Sequence, residues 1–400
     1  MDSGSRLRIV VAGYVVRGPL AGPTWHHLQY VLGLQDLGHD VWYLEDSMDY
    51  PFCYDPSKGR TDVDARYGLG YTARVFGRAG VGERWAYYDA HDGGRWHGPA
   101  ADRMRSICSS ADLLINVSGI NPMRPWLAGI PRRVFVDTDP VFTQIDILQD
   151  PEQRRFAESH NVFFTFAESF GQPGCAVPDD GLPWQPTRQP VVLREWQPAP
   201  PRPEGPYTTV MLWDSYDRRH WNGRAWGMKS EEMEHFLAMP ARCGRRFELA
   251  LGGGTAPSET LEELGWRLHN PLAVTSDPWD YQDFMRRSKA EFSVAKHGYV
   301  ASRSGWFSER SCGYLASGRP VVVQDTGFSA FLPTGHGLLA FTSVDEAVAA
   351  VAEVDQRYEH HCRAARELVA EHFEAGAVLA RMIESAMNAR GAAALQAKTP

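Results

Sequence analysis

The sequence predicts an α/β fold built from two Rossmann-like domains that face a central cleft. Three observations predict it. Apolar runs of strand length alternate with segments of helical period along most of the chain. A proline-rich stretch interrupts that rhythm near the middle. The length, 400 residues, exceeds one ordinary α/β core and suits two domains of roughly 150–200 residues each.

Residues 8–13, Arg-Ile-Val-Val-Ala-Gly, read as a buried strand that runs into a glycine-containing loop. Residues 24–37 place Leu28, Val31, Leu32, Leu34 and Leu37 at helical spacing, with Thr24 as N-cap and Gly38 as the stop. Residues 39–44 read as a second strand. Strand, helix and strand in that order imply a parallel sheet. Residues 50–100 are polar, aromatic and glycine-rich, and predict an irregular insertion with short helices. Strands are expected again at 111–117, 133–137 and 161–166.

Five prolines follow Trp196 in residues 197–206, which makes this segment non-helical and the best linker in the chain. The expected division is residues 1–195, a linker at 196–206, residues 207–370, and a terminal helix at 371–400 that returns to the first domain. In the second half strands are expected at 208–213, 247–251, 290–294, 320–323 and 337–341. Helices are expected at 230–239, 278–288 and 309–316. Ser343 and Glu346 fit a capping box that opens a further helix, and residues 358–390 read as a helical tail.

Composition narrows the function. Hydrophobic residues make up 43% and charged residues 22% of the chain, as in folded globular protein, and the formal net charge is −8. Such a chain has no global attraction to nucleic acid or anionic membrane. The N-terminal apolar run is short and ends at Arg17 and Gly18, unlike a signal peptide, and no stretch has the length of a membrane span. A cytoplasmic protein is expected. The six cysteines are scattered with no CxxC pair, so they read as buried free thiols. The 13 tryptophans suit either a core or stacking on sugar faces.

Residues 296–327 carry the densest chemistry. Lys296, His297, Arg303 and Arg310 are interleaved with Ser304, Ser308 and Ser311. The loop follows a strand and enters a helix near Ser308. Ligands of open parallel sheets bind beyond strand carboxyl ends, and a helix N-terminus favours phosphate. Lys296, Arg303, Ser308, Arg310 and Ser311 are therefore expected to cradle a diphosphate; the alternative is a solvated surface loop. Gly318 is read as a helix cap, and Asp325 and Thr326 as either sugar contacts or a turn before Gly327.

This pattern resembles the donor-binding core of GT-B glycosyltransferases: basic loop, helix, Ala316-Ser-Gly-Arg-Pro320, apolar strand, Asp325-Thr-Gly327. Trp306 to Ser311 is especially similar to a broad group of uncharacterised bacterial members. The resemblance implies transfer of a sugar from a nucleotide-sugar donor to a small-molecule or glycosidic acceptor, with no metal or other cofactor; the net charge of −8 adds the expectation of no nucleic-acid partner. Many retaining relatives carry two Glu residues eight apart. Counting back from Pro320 puts them at Gly305 and Gly313, and neither is Glu. Glu309 is kept as a displaced sugar contact.

The first half is expected to hold the acceptor, with Gly13, Tyr14 and Trp25 on the cleft side. His26, His27, Asp137 and Asp139 are the candidate bases. The histidines also fit a helix cap and a solvated residue. Asp137-Thr-Asp139 also fits an Asx-turn before Pro140, or the metal-binding Asp-x-Asp of GT-A enzymes. Gly252-Gly253-Gly254 lacks GxGxxG spacing and reads as a loop or a close backbone approach to a ligand. An epimerase or phosphorylase on the same fold, and a catalytically silent nucleotide-sugar-binding partner, are the alternative functions.

Overall fold

The computed structural model describes residues 6–389. Ten strands belong to the first half: β1 Arg8–Ala12, β2 Asp40–Asp46, β3 Cys53–Asp55, β4 Arg60–Asp62, β5 Trp85–Asp89, β6 Arg95–His97, β7 Leu113–Val117, β8 Arg132–Asp137, β9 Val162–Thr165 and β10 Gln185–Pro186. Eight of them form one sheet in the order β10-β9-β8-β7-β1-β2-β5-β6, while β3 and β4 make a separate hairpin. Every pairing in the large sheet is parallel except β5 with β6. Ile9, Val10, Val11 and Ala12 are all fully buried, because helices cover both faces of a parallel sheet and a continuous apolar run is what such a strand needs.

The second half contributes β11 Tyr207–Leu212, β12 Arg219–Trp221, β13 Arg224–Trp226, β14 Phe247–Gly252, β15 Trp266–His269, β16 Ala290–Ser293, β17 Val321–Gln324 and β18 Leu338–Phe341. Six form a parallel sheet ordered β15-β14-β11-β16-β17-β18, and β12 and β13 form a hairpin beside it. The chain runs outward from β11 through β14 to β15, then returns to start again at β16. The switch point therefore lies between β11 and β16, where open α/β sheets bind ligands.

The two halves are packed tightly. Trp25 on the first helix, Ala21–Asp36, is 3% exposed. Its indole N–H donates to the Pro278 carbonyl at 2.8 Å, and its ring lies 5.2 Å from Trp196. The last described helix, Ala375–Asn388, returns to the first one: a Cβ at Gly33 would stand 2.6 Å from Leu379 and 2.9 Å from Ala375. Residues 390–400 of the expected tail lie outside the described part. The proline segment is pinned, since buried Arg319 donates to the carbonyls of Ala199 and Pro200 at 3.3 and 2.7 Å.

Three expectations change. Residues 50–100 are not irregular: they hold the helix Arg66–Arg78 and β5, which extends the sheet beside β2. Their aromatic residues pack inward, as Tyr71, Phe76, Trp85 and Tyr87 are all buried. The helix expected at 230–239 breaks into Lys229–Met233, a turn at Glu234–Phe236 and Met239–Cys243, because Met233, Phe236 and Met239 all bury against the second sheet. The tail is two helices, Tyr358–His372 and Ala375–Asn388, with the Glu374 carboxylate capping the second.

Candidate active site

The strand ends of the two halves meet at Asp139, just after β8. Its carboxylate accepts from the Lys296 ammonium at 2.9 and 3.1 Å, and from the hydroxyls of Tyr216 and Tyr299. Lys296, three residues beyond β16 in the loop, also donates to the Tyr216 hydroxyl at 2.8 Å. Trp306 stacks on Tyr299 at 4.3 Å and its N–H reaches the Thr138 carbonyl at 3.2 Å. Thus one carboxylate of the first half carries three donors of the second. Val141 nearby has φ +76 and ψ −57, a strained region for a β-branched residue.

This geometry corrects two expectations. Asp139 is engaged as an inter-half clamp and is not poised as a base, and its partner Lys296 is not free for phosphate while the clamp is closed. Asp137 is 1% exposed, and its oxygens accept from Gln144 at 2.9 Å, Thr165 at 2.7 Å and the Asp139 N–H at 3.0 Å. Burial raises its pKa while those bonds oppose the rise. It positions the loop and does not reach the cleft. Among the described residues no group of three or more His, Cys, Asp or Glu is placed to hold a metal ion.

Arg310 also differs from expectation. It lies in the first turn of the helix Glu309–Ala316, yet its guanidinium turns inward. It binds Glu291 at 2.6 Å, Ser293 at 2.6 Å and the Val210 carbonyl at 2.9 Å. With Nε and both terminal nitrogens engaged, it is a structural ion pair under the switch point. Its charge is felt by Lys229, the first residue of the helix Lys229–Met233. Burial, then Arg310 and Lys296, lower the Lys229 pKa to about 7. Among the described residues no hydrogen bond to Lys229 offsets this. An ammonium crowded by two other cations and partly removed from water is set to bind an anion. Glu309 stands exposed, without a hydrogen-bond or ion-pair partner among the described residues, and its charge acts on Lys229 and on Tyr14 and His26 of the first half.

On the first-half side, His27 is fully buried. A Cβ at Gly13 would lie 2.1 Å from its ring, so glycine is required there to seat it. His27 Nδ1 pairs with the Pro23 carbonyl at 2.7 Å, and burial lowers its pKa well below the ordinary value. It is a packed core histidine, which removes it from the candidate bases. His26 differs in one respect: it lines a crevice with Trp25, Tyr281, Glu309 and Arg310. Like that of His27, its Nε2 has no partner among the described residues; burial lowers its pKa, and the Glu309 charge opposes the shift. Tyr14 packs edge-on against His27 at 4.7 Å. Trp25 bonds across to Pro278 and is an inter-half contact, not an acceptor surface.

Comparison with known proteins bears on this arrangement. Residues 236–384 match a family model described as "Glycosyl transferase-like". An alpha-glucosyltransferase solved with UDP-glucose and DNA containing an abasic site superposes at TM-score 0.59, with 11% identity, over 96% of this chain and 100% of that one. The fold is that of the GT-B glycosyltransferases. TarM superposes at 0.55 with 10% identity, over 97% and 100%. AviGT4, a glycosyltransferase involved in Avilamycin A biosynthesis, superposes at 0.50 with 14% identity, over 96% and 97%. No curated protein matches the chain by sequence.

Within this GT-B frame the two glycines at the expected Glu positions have a steric reason. A Cβ at Gly313 would meet the Trp196 ring at 3.0 Å, and Gly305, with φ +78, would place one 2.7 Å from Ser169 Oγ. Both sites are closed by packing. The crevice lined by His26 and Glu309, and the one lined by Ser308 and Ser311, each hold only about 20 Å³, room for roughly one water. The halves are closed on each other.

The remaining expected residues divide. Ser308 caps its helix by accepting from the Arg310 N–H at 3.2 Å, and Ser311 is buried against the second sheet. Asp325 forms the turn alternative, accepting from the Gly327 N–H at 2.8 Å and the Ser329 hydroxyl at 2.5 Å. Thr326 is 1% exposed and bonds the Trp306 carbonyl. These two stabilise the loop and are not free for sugar. Arg303 is exposed at the left-handed end of the helix His297–Ser302. Sequence reading missed Lys229, Tyr216 and Tyr299. A lone lysine at a helix start and two tyrosines in unrelated segments carry no local signal.

Proposed function

We propose that this chain transfers a glycosyl group from a nucleotide-sugar donor to a small-molecule or glycosidic acceptor, without a metal ion. The observation that carries this reading is Lys229: a desolvated cation near the switch point of a GT-B fold, within the fields of Arg310, Lys296 and Glu309, with no hydrogen-bond partner among the described residues. As the bond from the sugar to the diphosphate breaks, negative charge builds on the leaving oxygen. Lys229 meets that charge, joined by Lys296 once it leaves Asp139. The acceptor oxygen attacks the sugar carbon, and its proton passes to His26, the histidine that borders the crevice. Glu309 accepts hydrogen bonds from the transferred sugar. Donor entry requires the halves to part, and closure then excludes water.

The acceptor is proposed to be neither DNA nor RNA, on the net charge of −8, although one structural neighbour was solved with DNA. A second reading, a silent nucleotide-sugar-binding protein, is favoured by the sealed positions Gly305 and Gly313. The test is nucleotide release from UDP-, GDP-, ADP- and dTDP-sugars with EDTA present, alongside thermal shift with each nucleotide. Release lost in Lys229→Ala supports the transferase. A thermal shift with no release under any acceptor supports the silent protein, and neither signal removes both readings.

A further inference from the structure

A cavity of about 420 Å³ lies at the outer edge of the first sheet, within the size range of small-ligand sites. Residues from β9, β10 and the chain up to Arg188 form one wall, and the helix Ala375–Asn388 forms the other. The cavity shares no lining residue with the two crevices of the candidate active site. No step of the proposed sugar transfer uses it.

Phe164, Val378 and Met382 give the cavity an apolar floor, and each is at most 4% exposed. The polar groups around that floor are mostly donors. Arg381 makes no hydrogen bond or ion pair among the described residues, and its charge acts on Glu168 and His372. Arg188 is fixed in place: Nε donates to Glu168 at 2.7 Å, Nη1 to His372 Nδ1 at 3.3 Å and Nη2 to the Phe331 carbonyl at 3.3 Å. Each terminal nitrogen of a guanidinium carries two hydrogens, so one N–H on each remains. The Thr187 hydroxyl is also unbonded among the described residues, and Gln185, whose Oε1 accepts from Ser385, keeps its amide hydrogens.

Glu168 is the one carboxylate of the lining. Burial raises its pKa, and Arg188 and then Arg381 oppose the rise. Two guanidinium groups thus face one carboxylate, which Arg188 already holds, and the positive charge of Arg381 is left unanswered. A bare inorganic ion would answer that charge and leave the apolar floor uncovered. An oxyanion on a compact apolar body does both. Its oxygens suit the planar fork of Arg381, and its carbon face suits Phe164 and Met382. The geometry points to a binding site for a small organic oxyanion, a carboxylate or a phosphate monoester, separate from the donor and acceptor sites.

The test is a fluorine NMR titration of the full chain with fluorobenzoate, fluorophenyl phosphate and the uncharged fluorobenzamide. At least one anion should bind saturably and roughly tenfold or more tighter than the amide, the worth of one charge-assisted hydrogen bond. This arm needs no mutation, and the tighter of the two anions tells the carboxylate from the phosphate. Arg381→Ala, at an exposed position, should remove the preference for an anion. Lys229→Ala should keep it, which separates this cavity from an anion held at the candidate active site. Equal affinity for the amide, an undiminished preference in a folded Arg381→Ala, loss of the preference in Lys229→Ala, or no saturable binding by either anion overturns the inference.

Discussion

Each half of this chain hides an arginine–glutamate pair under its ligand-facing loops, and the two pairs differ in what they leave unsatisfied. In the first half Arg17 and Glu45 are both fully buried, 3.2 Å apart. Glu45 also accepts from the Val16 and Arg17 N–H groups at 2.8 and 2.6 Å and from Tyr43 at 2.8 Å, while Arg17 keeps one nitrogen without a partner. In the second half Arg310 and Glu291 approach to 2.6 Å. Here the arginine is satisfied, and Glu291 keeps one bare oxygen. Neither pair can release its cation without stranding a buried carboxylate. Among the described residues Lys229 has no such partner, and that separates a cation that holds the fold from one available to a ligand.

The sharpest way to break this contrast is to remove one member of a buried pair. Arg310→Ala and Arg17→Ala should each lose about 3–5 kcal/mol of stability, read as a lowered denaturation midpoint. An Arg310→Ala protein with unchanged stability and only weakened nucleotide binding would restore the ligand role expected from sequence.

Lys229→Ala should do the reverse. Nucleotide affinity should fall by about 1.5–3 kcal/mol, the worth of a charge-assisted hydrogen bond, with the melting temperature held or raised.

The pH dependence sharpens the same point. The lysine pKa falls from 10.5 to about 7 on folding. Between those values the unfolded chain binds the extra proton, so this group makes stability rise as pH climbs from 7 towards 10. Diphosphate affinity runs the other way, falling up to about tenfold per pH unit above 7 as the ammonium is lost. Lys229→Arg should flatten that profile, because guanidinium stays charged. A wild-type profile flat from pH 6 to 9 would remove Lys229 from the site.

The smallest effect belongs to the clamp. Lys296 and Asp139 are partly exposed, at 12% and 32%, so Asp139→Asn should alter stability by about 1 kcal/mol or less. It should nonetheless enlarge the radius of gyration in solution scattering, as the halves part more often.

Much of the fold was legible because strand and helix periods are local. Residues 8–12 bury every side chain of the run from Ile9 onward, and Ser343 with Glu346 forms the capping box their spacing predicts. β5 was not legible, since its Trp-Ala-Tyr-Tyr-Asp run looks like the polar aromatic loops around it. The helix beginning at Lys229 was obscured by a break at Glu234–Phe236 that only packing on the second sheet explains.

The site was legible as a region and not as residues. The sequence alone determined two β/α halves, a proline segment between them, and a basic loop entering a helix near Ser308, because these depend on neighbours in the chain. Only the tertiary structure decided that Arg310 turns inward to Glu291, that Lys296 reaches Asp139 across 157 positions, that His27 is sealed beneath Gly13, and that Lys229 stands without a partner among the described residues. The charge on a side chain is written in the sequence. Whether a buried carboxylate already answers it depends on residues far away in the chain, and burial in a low-dielectric interior makes that pairing decisive.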